Sequence, residues 1–201
     1  MKKIFIALFM MMTIVSGCYA QLGSGHLTFM GIPIDGNPEV FAKKLQQKGF
    51  KAVKNTPHGK TFNMMEFRGT FASIPNCNVT VVSGLNTVTM VMVSSVHKNW
   101  KDLESTFSSL NGKLSLKYCN FYPETSEGFT CNPSPETDED KLAAVKEGCC
   151  DYKTVIKTSE GIIALTICWN KDKEVPNIMI LYGDMQNFLK PGRVKSGIDD
   201  L

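Results

Sequence analysis

Apolar positions along the chain follow two periods. From Leu27 to Ile34 they run almost unbroken between turn formers, which predicts a half-buried or edge strand, with Pro33 at an edge or bulge because it has no N–H. Asp35-Gly36-Asn37-Pro38 reads as a turn and a helix start, Asn37 capping and Pro38 taking the first helical position. Val40, Phe41 and Leu45 form the predicted buried stripe, and Gly49 ends the helix in a left-handed conformation that lets Phe50 fold back. So short a helix is marginal without packing, and the rest of the chain must therefore supply a sheet.

Strand-like runs follow. A short one covers Lys51 to Lys54, and Asn55-Thr56-Pro57-His58-Gly59 has the composition of a turn. Thr61 to Phe71, Cys77 to Val82 and Val88 to Val96 come next, the last dense in Val and Met, with Ser83-Gly84-Leu85-Asn86 joining the final pair as a hairpin. From Asn99 to Tyr118 the period changes: Trp100, Leu103, Phe107, Leu110 and Leu114 recur at three- and four-residue steps and predict a core-facing helix, which Gly112 bends or splits. Residues 119–136 have no period, and a loop of that length in a compact domain is often functional. Thr137 and Asp140 approximate a capping box opening a helix that stops at Gly148. Tyr152 to Lys157, Ile162 to Trp169 and Asn177 to Tyr182 read as closing strands. The order predicts an α+β fold, a mainly antiparallel sheet with two or three helices packed on one face.

Met1-Lys2-Lys3 before the apolar run Ile4 to Val15 matches a secretory signal over residues 1–20. Val15-Ser16-Gly17-Cys18 also resembles a bacterial lipobox, with Cys18 as the lipidation candidate, whereas Cys18-Tyr19-Ala20 fits ordinary cleavage before Gln21. Residues 21–189 then form one domain, or two lobes meeting near 97, and 190–201 a polar tail. The expected address is exported: periplasm or extracellular space, or an outer-membrane lipoprotein. Net charge after the signal is about +1, which implies no nucleic-acid partner. Charge is uneven, basic over residues 38–68 and acidic over 122–151, which reads as two solvated faces or as a docking surface steered by complementary charge.

Beyond the signal lie Cys77, Cys119, Cys131, Cys149, Cys150 and Cys168, a disulfide framework if the chain is exported. Cys119 and Cys131 flank the aromatic loop, and joining them would stabilise the fold by about 3 kcal/mol on a chain-entropy model. A turn near Ser159 and Glu160 brings Cys150 almost opposite Cys168, although a one-residue slip separates them. Cys77 and Cys149 are left by remainder, and Cys77 with Cys150 is an equal rival. No pair has C-x-x-C spacing, so neither metal nor cofactor is expected. His26, His58 and His97 stand alone in sequence, and there is no G-x-S-x-G elbow, phosphate-binding Gly-rich loop or H-E-x-x-H helix. Asp35 and Asp184 sit beside glycines at strand ends, which is usual turn chemistry.

The run Leu27 to Gly36, with Phe41, Leu45 and Lys48-Gly49-Phe50, resembles the opening of an uncharacterised group of exported proteins from the Bacteroidota. The Trp100 helix, Lys117-Tyr118 and Ile180-Leu181-Tyr182-Gly183-Asp184 with Asn187 are also similar to that group. The resemblance implies strand and helix punctuation and carries no catalytic residues. Where that group has Lys-Tyr-Gly, Lys117-Tyr118-Cys119 points to a locally added disulfide at the aromatic loop.

Together these features predict an exported, non-catalytic envelope protein that binds another protein, a peptide or a glycan, an inhibitor or immunity protein by analogy of fold alone. The expected surface is a sheet edge or the 119–136 loop, through Phe121, Tyr122 and Phe129. The alternative is an envelope hydrolase with a Cys/His or carboxylate site assembled from distant positions. A histidine close to a cysteine or carboxylate in a concave pocket would favour the enzyme.

Overall fold

The computed structural model describes residues 25–58, 62–171 and 173–188. The signal segment with Cys18, the turn residue Gly59 and the 190–201 tail lie outside the described residues. The strands are β1 (Thr28–Phe29), β2 (Ile32–Pro33), β3 (Lys51–His58), β4 (Phe62–Phe71), β5 (Ile74–Gly84), β6 (Thr87–Val96), β7 (Glu124–Ser126), β8 (Lys153–Lys157), β9 (Gly161–Asn170) and β10 (Val175–Asp184). The helices are α1 (Pro38–Gln47), α2 (Trp100–Lys117), α3 (Asp138–Glu147) and the single turn α4 (Met185–Phe188). One eight-stranded antiparallel sheet runs β3-β4-β5-β6-β10-β9-β8-β7, so the predicted α+β class holds.

Register puts whole rows of side chains on one face. Phe67, Val79, Val93, Ile180 and Leu165 lie side by side across five strands, and Val81, Val91, Tyr182, Ile163 and Ile156 form the next row. All are buried, and α2 covers them with Trp100, Leu103, Phe107, Leu110 and Leu114, the stripe its period predicts. Gly112 faces open space within an unbroken α2. Helix α3 has the predicted capping box between Thr137 and Asp140 and ends on Gly148 at φ 80°. Helix α1 is capped by Asn37, whose side chain accepts from Glu39 N and Val40 N.

Three expectations change. The Leu27–Ile34 run is not one strand but the hairpin β1–β2, reversed at Met30-Gly31 with both residues at positive φ. Folding back lets Leu27, Phe29, Ile32 and Ile34 all enter the core. The Asn55–His58 stretch is the outer half of β3 and not a turn; as an edge strand it tolerates Pro57. Val40 is 51% exposed, and α1 buries Pro38, Phe41 and Leu45 instead. Phe50 does fold back, and it lies against Gly69, where a Cβ would meet its ring at 2.5 Å.

Candidate functional site

The 119–136 loop is fastened at several points. Phe121 is half-buried against the core, Tyr122 is 97% exposed, and Glu124–Ser126 adds to the sheet as its outermost strand, β7. Phe129 forms a bridge with Cys150, and its ring centroid lies 5.3 Å from that of Trp100 and 5.6 Å from that of Tyr152. The three aromatics expected to bind together therefore do not share a surface, since two turn inward. Beside the loop a cleft of about 390 Å3 runs along α3, lined in part by Cys131, Pro133, Pro135, Glu136, Asp140 and Glu147. Its Asp140 serves the helix cap: the Thr137 hydroxyl and backbone hold this carboxyl below its usual range.

No disulfide joins the described cysteines. Cys131 does not meet Cys119, because the Phe129–Cys150 bridge and the Thr130 N to Cys149 O bond of 2.8 Å carry it to Cys149. A hydrogen bond between the two thiols is the main influence raising the Cys149 pKa. Cys150 misses Cys168 by the feared single step: Ile167 N bonds Tyr152 O, which continues the ladder with Asp151 opposite Cys168. Burial pushes Cys150 up to about 11 and raises Cys77 and Cys168 too, so these thiols are protonated and poor nucleophiles at neutral pH. The buried Cys77 thiol donates to Ile74 O at 3.3 Å. Among the described residues no three His, Cys, Asp or Glu side chains are grouped to hold a metal ion.

Residues far apart in sequence do converge at His26. Its Nδ1 lies 3.1 Å from Asp184 Oδ1 and its Nε2 3.4 Å from Asp35 Oδ2. Asp184 is fully buried and accepts from Leu27 N at 2.8 Å and Asn187 N at 2.9 Å. The Asn187 amide donates to Ile34 O, Asp35 Oδ1 and Val88 O at 2.8, 3.0 and 3.1 Å. This is a staple: it joins the β1–β2 unit to β6 and to the end of β10, with the Asp184 carboxylate occupied by backbone N–H groups and that of Asp35 by the Asn187 amide and His26. Of the residues quoted above for a resemblance, Leu27, Ile34, Asp35, Asp184 and Asn187 meet here, each with a structural role. A second contact was not anticipated: Ser95 Oγ lies 3.0 Å from His97 Nε2, and burial lowers the His97 pKa while the Asp102 charge opposes that shift.

A further surface without an assigned role is the face of the sheet opposite the helices. Met64, Val82, Met90, Gly183 and Ile162 form one outward row, and Thr80, Met92, Leu181, Ala164 and Val155 the next. Ser94, Met179 and Thr166 continue it. Apart from Val82 these positions are partly exposed, whereas their inward neighbours are buried. Arg68, Glu66, Glu124, Lys153 and Lys157 are exposed at its margins. An antiparallel sheet with one wet face should alternate apolar with polar residues. Here Met90 to Val93 and Ile178 to Tyr182 are apolar at both parities, so this part of the outer face has the composition of a covered one. The signal was present in the sequence as the Val/Met alternation of β6.

No helix of the described residues is long and apolar enough to cross a membrane. Comparison with protein-family models, with curated proteins and with solved structures returns no match.

Proposed function

We propose that this is an exported, non-catalytic envelope protein of the Bacteroidota group it resembles, and that it binds another protein through the open face of its sheet. The observation that carries the reading is the apolar, methionine-rich outward surface of β6, β9 and β10. Methionine side chains are unbranched and adapt to irregular partners, which suits a protein surface. Glycans favour aromatic platforms, and no aromatic ring among the described side chains stands in those outward rows. The partner this face fits has an apolar centre and a rim of mixed charge.

Capture from a cell-envelope extract tests this with three baits. Wild type retains a defined protein, Met92→Lys/Leu181→Lys loses it with an unchanged melting temperature, and Tyr122→Ala retains it. Loss with Tyr122→Ala and retention with the face variant would move the site to the 119–136 loop.

In an oxidising compartment we expect Cys131 to pair with Cys149, replacing the Cys119–Cys131 link, because these thiols are near enough to influence one another. The two thiols would pass two electrons and two protons to the disulfide of an exchange partner. Non-reducing peptide mapping of the exported protein shows the linked peptide; finding both thiols alkylatable there sinks the pairing.

One observation favours a hydrolase, the Ser95–His97 contact with Asp102 nearby. Against it, Ser95 is 8% exposed and the Asp102 carboxylate accepts from Asn99 at 2.8 Å. Labelling of Ser95 by a fluorophosphonate probe would establish the enzyme; we expect none.

A further inference from the structure

On the helical side of the molecule a cavity of about 190 Å3 opens between α2 and two tight turns, Met30-Gly31 and Ala72-Ser73. Its walls are Phe71, Leu110, Leu114, Ile180 and the ring of Tyr182, with the flexible Met30 side chain among them. Lys113 and Lys117, one helical turn apart and both exposed, are the charged groups of the lining, which contains no carboxylate. Lys113 Nζ donates to Ala72 O at 2.7 Å, and Lys117 Nζ lies 4.9 Å from the Tyr118 ring centroid. Neither lysine is among the ion pairs of the described residues.

The turns add a second observation. Both are two-residue hairpin loops with positive φ at each central residue, a geometry that Asn-Gly satisfies most easily. Met30 at φ 51° and Ala72 at φ 50° hold it with side chains instead, and both residues line the cavity. Non-glycine residues in unfavourable backbone regions cluster where a site needs them. An apolar recess with two ammonium groups and no acid at its mouth complements an anion with a hydrocarbon tail.

We propose that this cavity binds a small monocarboxylate, a short- to medium-chain fatty acid, with its hydrocarbon end among Leu114, Ile180 and Met30 and its carboxylate held by Lys113 and Lys117. The site is on the opposite side of the sheet from the protein-binding face and stands independently of it.

Calorimetric titration of the full chain with butanoate, hexanoate and octanoate tests it, octanol serving as the uncharged control. Affinity should rise by about fourfold per added methylene until the recess is full. Octanol should bind several-fold more weakly than octanoate, and Lys113→Gln/Lys117→Glu should weaken octanoate several-fold without changing the melting temperature. Leu114→Trp should block the recess; because that position is buried, the lysine variant carries the test if the tryptophan variant fails to fold. Absent octanoate binding, affinity independent of chain length, equal binding of octanol, or full octanoate affinity in the lysine variant would each overturn the proposal.

Discussion

At Asn187 one side-chain amide holds three carbonyl or carboxylate oxygens from segments far apart in the chain. Removing a buried donor costs both its bonds and the desolvation of the acceptors left behind, so Asn187→Ala should lower stability by about 3 kcal/mol in urea denaturation. The aromatic loop separates into residues of different kinds. Tyr122→Ala should change stability by less than about 0.5 kcal/mol, whereas Phe129→Ala should cost about 2 kcal/mol because the ring packs with Trp100 and Tyr152. His97 contributes a pH dependence. Its folded pKa lies below the ordinary 6.5, so the neutral ring is favoured by folding. The contribution is fully present above 6.5 and is lost as pH falls through the lower folded value. A urea midpoint followed from about pH 7.5 down to about pH 5 should therefore fall, and His97→Gln should flatten that fall.

Among the elements, those with strong local physics were readable from sequence: the α2 stripe, the Asn37 and Thr137 caps, the Gly148 stop and the Leu85-Asn86 hairpin all lie where their residues place them. What escaped had weak local signals. Met30-Gly31 and Ala72-Ser73 lack the usual Asn-Gly of such turns, and the core contacts of Phe29, Ile32 and Phe71 decide them instead. Pro57 disguised β3 because a proline excludes central strands and not edges. The staple at His26 joins sites 158 residues apart, which no spacing reveals. The outward methionines were visible as density in β6, but only a sheet with helices on one side turns that density into an uncovered surface. The packing of α1 against the sheet also rests on a contact that sequence does not show. Because a Cβ at position 69 would collide with the Phe50 ring, Gly69→Val should cost about 2 kcal/mol and loosen the α1–β3 connection, measurable as faster amide exchange at Phe50.

For the whole molecule, the sheet divides two chemistries. Its inner face, the three longer helices and the His26 staple together make a continuous core, while the outer face presents apolar rows with charged margins. The surplus of apolar residues on the second face is the reason to read the protein as a binding module. Methionine-methyl spectroscopy of the chain, titrated with the protein it captures, tests that claim most directly. The account predicts that the methyl signals of Met64, Met90, Met92 and Met179 shift or broaden while those of the inward Met30 and Met65 stay fixed. Unmoved outer methionines in a saturated complex would contradict it.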